Sequence, residues 1–350
     1  MEQQSLPVRS ETPTAWEDPE FYAAFEALPG LYVHPLPAVL DTSCVRTALA
    51  IRLQTGTSPP SLAAIRAGAV RLFMDTDTLE ETYRRLPRFA KQLQTPLPVL
   101  VDLFESEWLP HIHILAVPSE LRSLDPRARA VHDRDPDDYP VAALAALLSP
   151  CVLLTHNYRH FSAVGVSSYT QGTDALFAAV DLRVGETRLR AVASLPAAPV
   201  VVVKGGVQWA NERMGYAGWV TLAVLLLGAV VLYNRQTDER KAAVRQAAAD
   251  GAVWFLQETR RASLQLDRSR RELDAHLVPG PDHRSPAAAV MRQLALADDS
   301  MSAQQLIDAL SAEARLPIGA LRRFLRANTP AVFSETRRGS FELGAPASRK

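Results

Sequence analysis

The stretch 135–161, DPDDYPVAALAALLSPCVLLTHNYRHF, concentrates oxygen-bearing side chains around two predicted elements. Asp135, Asp137 and Asp138 lead into a small, apolar helix from Val141 to Leu148. After a Ser-Pro break, Cys151 to Leu154 is short and apolar enough for a buried strand, and Thr155, His156 and Asn157 follow it directly. In an α/β sheet, ligands sit beyond the carboxyl ends of the strands, where helix N-termini also point. Asp138 and Asn157 are therefore expected to face each other at one edge. Oxygen ligands gathered in this way suit cation binding and phosphodiester chemistry. Ala38-Val39-Leu40 offers a second apolar strand, and it delivers Asp41 at its end.

The elements that must position these groups alternate along the chain. A helix over Val45 to Leu53 follows the first strand, and Ser61 to Val70 reads as another helix. Residues 71–76, RLFMDT, suit a strand or a helix lead-in. Thr78 to Leu93 is predicted helical, with Leu79, Tyr83, Leu86 and Phe89 apolar on one side. Leu97 to Trp108 gives a further helix, Ile112 to Val117 a strand, and Thr173 to Val180 a helix beyond the opening stretch. Strands and helices alternating in this way predict a parallel three-layer α/β domain.

Four motifs occur in order: VLDTS around Asp41, LEETYRRL around Glu81, DPDDYPVAALA around Asp138 and LLTHN around Asn157. Asp41 and Glu81 are 40 residues apart, and Asp138 and Asn157 are 19 apart. In that order and spacing they resemble the PIN-domain family over roughly residues 36–165. The resemblance implies a toxin-type, metal-dependent endoribonuclease that hydrolyses single-stranded RNA with metal-activated water. Carried over residue by residue, Asp41, Glu81 and Asp138 match the family's acidic ligands for Mg²⁺ or Mn²⁺. The family's fourth acid falls on Asn157, and its neighbouring glycine is His156. An amide oxygen can ligate Mg²⁺ but adds no negative charge, so a second ion would be held more weakly. Asp41, Glu81, Asp138 and Asn157 form the expected catalytic set. The resemblance also implies a homodimer and an antitoxin-like partner protein. The competing reading is a catalytically degenerate PIN fold that serves as a nucleic-acid-binding or assembly module.

Each group also has a plainer reading. Thr78 with Glu81 three residues later is a capping-box pattern, which makes Glu81 a first-turn acid. Asp137 and Asp138 would stabilise a helix N-terminus without any metal. Asp135 and Asp137 have the context of turn residues. His111, His113, His156 and His160 lack the Cys/His spacing of a zinc site and read as ordinary loop or strand histidines. Cys44 and Cys151 lie in separate apolar runs and read as buried thiols.

Tyr216 to Tyr233, YAGWVTLAVLLLGAVVLY, runs 18 residues without a charge, about 27 Å as a helix. Trp219 and the tyrosine at each end suit a membrane interface. A single membrane-spanning helix is expected there, and with it a membrane-associated protein. The N-terminus has neither an apolar core nor a basic leader, so the nuclease-like domain is expected in the cytoplasm. The flanking charges disagree. Lys204 and Arg213 precede the stretch, whereas Arg235, Arg240, Lys241 and Arg245 follow it, which puts the C-terminal side in the cytoplasm instead.

A helical stalk and a linker, VPGPDHRSP at 278–286, lead to a last block. Helices over Ala287 to Ala297, from the Ser302/Gln305 cap, and from Pro317 precede two short strands, Ala331 to Glu335 and Ser340 to Leu343. That pattern resembles a winged helix-turn-helix. Arg322, Arg323 and Arg326 line its expected recognition helix, and Arg337 and Arg338 tip its wing. Residues 302–350 hold eight Lys/Arg and four Asp/Glu, a local net of +4, which predicts phosphate contact with DNA or RNA. The whole chain carries 38 basic and 38 acidic residues and argues for neither. The expected organisation is a loose arm over 1–30, the PIN-like domain over 31–190, a linker over 191–215, the hydrophobic helix 216–233, the stalk 234–277 and the winged-helix-like α+β domain 285–345.

Overall fold

The computed structural model describes residues 35–194, 263–281, 285–297, 299–337 and 339–346, with isolated helical positions at 246, 257, 260 and 261. The arm 1–30, the linker from 195 onward, the hydrophobic stretch 216–233 and most of the stalk lie outside the described residues. Among the described residues no helix is long and apolar enough to cross a membrane.

The first half alternates as its apolar periodicity requires. β1 (Leu36–Leu40) leads to α1 (Thr42–Thr55) and α2 (Pro60–Arg66), and β2 (Val70–Asp75) to α3 (Thr76–Gln92) and α4 (Leu97–Leu103). A π-turn over Phe104–Trp108 takes the chain to β3 (Ile112–Leu115), then α5 (Ser119–Arg122) and α6 (Pro126–His132). α7 (Tyr139–Leu148), β4 (Val152–Leu154) and α8 (Gln171–Ser194) follow. A helix over 263–276, α9, returns the chain to the body. The last block contains α10 (Pro286–Leu296), β5 (Met301–Ser302), α11 (Ala303–Ala309), α12 (Ile318–Ala327), β6 (Phe333–Arg337), β7 (Ser340–Leu343) and β8 (Ala345–Pro346). The Ser302/Gln305 capping box forms with both of its hydrogen bonds.

The main sheet has the order β4-β1-β2-β3-β8, with β1 to β4 parallel. Successive strand residues point to opposite faces, and the two cores divide accordingly. Val39, Phe73 and Leu153 enter one core, while Ala38, Leu40, Leu72, Met74, Val152 and Leu154 enter the other. The second core takes residues from α1, α3, α4 and α8. The first is centred on α7, in which every residue from Pro140 to Leu148 is buried. A helix apolar on all sides must be covered on all sides. α6, the sheet and α10 supply that cover.

The last block therefore does not have a core to itself. Leu294, Leu306, Leu321, Leu325, Phe333 and Phe341 belong to the same core as α7. The short β8 adds an antiparallel fifth strand to β3, pairing Ala345 with Ile114 and Pro346 with His113. Ala116 N–H donates to Ala331 O at 2.8 Å, and Val278 bridges Cys151. Helix ends are capped across the two parts. Buried Arg292 of α10 donates to Leu148 O at 2.7 Å, the end of α7, and Arg71 of β2 donates to Ala297 O at 2.5 Å, the end of α10. Unsatisfied terminal carbonyls are costly when buried, so these bonds add to the apolar contact that ties the two parts.

Candidate functional site

Asp41 is the first residue beyond β1. Its N–H bonds to Leu154 O at 3.0 Å, which sets the end of β1 beside the end of β4. The side chain is only 4% exposed. Its Oδ2 accepts from Thr155 Oγ1 at 2.7 Å and from Ser43 Oγ at 2.5 Å. Ser43 Oγ in turn accepts from His156 N–H at 3.0 Å, and Thr155 Oγ1 accepts from Asn157 N–H at 2.9 Å. The start of α1 and the turn after β4 thus hold one carboxylate in a fixed orientation.

Glu81 reaches the same edge from α3. The expected Thr78/Glu81 capping box does not form, because the helix begins two residues earlier. β2 ends on Asp75, a residue able to cap, and its side chain accepts from Asp77 N–H at 3.0 Å. Thr78 is consequently inside the helix, and Glu81 lies beyond its first turn with its carboxylate turned to α1. Thr42 Oγ1 lies 3.1 Å from Glu81 Oε2, and Arg85 pairs with Oε1.

Asp138 closes a 3₁₀ turn over Pro136–Asp138, immediately before α7. It occupies that helix's N-cap position yet makes no side-chain cap bond. The carboxylate instead turns to the loop after β4, where Asn157 Nδ2 donates to Asp138 Oδ2 at 2.8 Å. His160 Nδ1 lies 2.7 Å from the same oxygen and 3.1 Å from Asp135 Oδ2. Asp135 also caps the 3₁₀ turn by accepting from Asp137 N–H, so its turn role and its place in the site coexist.

Asp41, Glu81, Asp138 and Asn157 together line a cavity of about 300 Å³, with Ser43, Arg85, Asp135, Asp137 and His156 completing the wall. Five carboxylates face one guanidinium there. Burial raises the Glu81 pKa against the pull of Arg85, and Asp41 and Asp137 add to the rise. Burial likewise pushes Asp138 up to about 6, opposed by His160 and reinforced by Asp41 and Asp135. Carboxylates destabilised in this way gain most from a cation brought among them.

Two members have plainer readings in the sequence, Asp135 as a turn residue and His160 as an ordinary loop histidine. Asp135, Asp138 and His160 bring one donor atom each within 4.8 Å of one another, a set that could hold a metal ion. His156 lines the cavity, and His111 and His113 do not. His160 does not behave as an ordinary loop histidine, since it contacts Asp135 and Asp138. The signal was the interval from Asn157, which places both residues on one turn beside Asp138. Of the C-terminal arginines, Arg322, Arg323 and Arg326 are exposed on α12, and none lines the cavity. Arg337 ends β6, its side chain outside the described residues, as is Arg338 altogether.

One strand away, Asp75 is buried and paired with Arg122 at 2.8 Å. Burial dominates and pushes its pKa up to about 6, despite the Asp77 N–H and the Arg122 charge. The folded state therefore binds a proton between about pH 4 and 6 that the unfolded chain has released. This contribution to stability is complete below pH 4 and is lost as pH rises through 6. Asp75→Asn keeps an oxygen for the cap but has no charge to bury. Urea unfolding in chelator should show the variant gaining on the parent by about 2–3 kcal/mol between pH 4 and 7. A pH-independent difference would contradict this account.

Comparison with protein-family models, with curated proteins and with solved structures gives no match to this chain.

Proposed function

We propose that the chain is a PIN-type endoribonuclease that hydrolyses single-stranded RNA with Mg²⁺ or Mn²⁺. The observation that carries this reading is the convergence of Asp41, Glu81, Asp138 and Asn157 on one cavity, from four separate points of the chain. The donor set fits a hard divalent cation, since it consists of carboxylate oxygens with one amide. Asp41, Glu81 and Asp138 would hold the ion, which supplies Lewis acidity toward a phosphate oxygen and lowers the pKa of water. Thr155 and Ser43 keep the Asp41 carboxylate from turning away. Asn157 orients Asp138 through its amide nitrogen. Arg85, on the cavity wall, is suited to meet a phosphate of the strand being cut.

The order helix, strand, two helices, two strands in α10 to β7 supports a winged-helix reading of the last block. Arg322, Arg323 and Arg326, exposed on α12, are its proposed phosphate contacts. One observation favours the non-catalytic alternative. Glu81 is already paired with Arg85, and the Asp138 carboxylate is already engaged by Asn157 and His160.

The deciding experiment incubates the full chain with labelled single-stranded RNA in Mn²⁺, in Mg²⁺ and in EDTA. Cleavage that needs metal supports the enzyme. Salt-sensitive binding without turnover, lost when Arg322, Arg323 and Arg326 are all replaced by Glu, supports the binding module. Asn157→Asp offers a further check. It loses the amide bond to Asp138 and places two carboxylates together, so without metal its melting temperature should fall. Added Mn²⁺ should then raise the melting temperature more than in the parent, because the restored acid strengthens binding. An equal or smaller Mn²⁺ shift would argue against Asn157 facing the ion.

A further inference from the structure

α8 and α9 run side by side in opposite directions. Gln171 Nε2 donates to His276 O at 3.1 Å. Farther along, Leu273 is buried in the core that holds Ala175, Leu176 and Ala179. Asp181 faces Glu272, whose charge adds to the upward shift that burial causes in Asp181. A Cβ at Gly185 would lie 3.9 Å from Leu266 Cα and 4.0 Å from Leu266 Cβ. As the number rises along α8 it falls along α9, which defines an antiparallel pair. Beyond α9 the chain passes through the Val278–Cys151 bridge into α10 and the core it shares with α7.

The intervening sequence contains the uncharged run 216–233. A single crossing by that run would separate α8 from α9 by a hydrocarbon layer about 30 Å thick. Their backbones and side chains instead meet at contact distance. We infer that α8 and α9 lie on the same side of any bilayer, with the candidate site and the C-terminal block in one compartment, so that no odd number of crossings separates them. On this reading a single span does not lie between the two helices, and the disagreement between the flanking charges and the expected site of the nuclease-like domain does not arise.

The test is a double variant of the full chain, Gly185→Cys with Leu266→Cys. The 4.0 Å Cβ separation falls within the range a disulfide spans. The crosslink is read in whichever fraction, membrane or soluble, holds the chain. Most of the oxidised chain should run as a faster monomer on a non-reducing gel, reverting on reduction, with neither single variant doing so. A second arm places cysteine at exposed Thr57 or exposed Glu313. An impermeant maleimide applied to sealed vesicles should treat both positions alike. Failure of the internal crosslink while both cysteines react with a small maleimide would overturn the inference. So would a disulfide formed only between two chains, or labelling of Thr57→Cys and Glu313→Cys from opposite sides.

Discussion

Asp41→Asn should lower metal-dependent RNA hydrolysis by on the order of 100-fold or more, with the fold left intact. Changes to groups that merely orient a metal ligand typically cost about 10- to 100-fold, and removing a ligand's charge should exceed that. The substitution preserves shape. Asparagine keeps one oxygen for the Thr155 and Ser43 hydroxyls, which now both donate to Asp41 Oδ2. It removes the charge where five carboxylates compete for one cation. Initial rates on labelled single-stranded RNA across a Mn²⁺ titration give the activity, and the melting temperature in EDTA reports the fold. A variant that cleaves within a few-fold of the parent at saturating Mn²⁺ would remove Asp41 from the site and weaken the nuclease reading. Ser43→Ala should have the milder effect, nearer 10-fold, because Thr155 still holds the carboxylate.

Cutting the chain after residue 190 should abolish cooperative folding of the first domain. The first 190 residues read as self-contained in the sequence, yet α7 is buried on all sides and α10 forms one of those sides. Truncation would uncover the α7 face that Val290, Met291 and Leu294 now contact within one core. A single buried Leu or Met removed from a core costs about 2–5 kcal/mol, comparable with the roughly 5–15 kcal/mol that holds a whole domain. The cut also strips the Arg292 bond from Leu148 O and the β8 strand from the edge of β3. Thermal unfolding should be broad for 1–190 and sharp for the full chain, with dye binding to exposed apolar surface only in the fragment. A sharp transition in the fragment would show that α7 finds cover elsewhere. Phe333→Ala in the full chain is the gentler version, expected to cost about 3–5 kcal/mol, since its fully buried ring belongs to the same core as α7.

The amino-acid sequence by itself determined most of the alternating elements and most of the candidate site, but not α5 or α6. The helix expected over Ser61 to Val70 stops at Arg66 because Val70 already belongs to β2. Apolar runs such as Ala38 to Leu40 and Val152 to Leu154 are strands because their alternate residues can bury on two faces, and each hands the chain a polar residue where the apolar run ends. Asp41 could be found from that rule and Asn157 from the turn after β4, whereas Asp138 was marked by the acidic lead into the apolar helix α7. Glu81 was visible, but its freedom to face the cavity was not, because Asp75 out-competed Thr78 for the cap one strand end earlier. The part that Asp135 and His160 take in the site was not legible, for a different reason. Their meeting over Asp138 depends on two short 3₁₀ segments, Pro136–Asp138 and His160–Val164, packing against α6 and α7. Short turns carry no periodic signal. The same holds for β8, two residues long, and for the pairing of α8 with α9 across an intervening stretch of sequence. Periodicity reveals that a helix has an apolar face; only the folded chain selects which distant surface covers it. Here that selection joined the last block to the first sheet, because a helix as apolar as α7 has no solvated side to leave open.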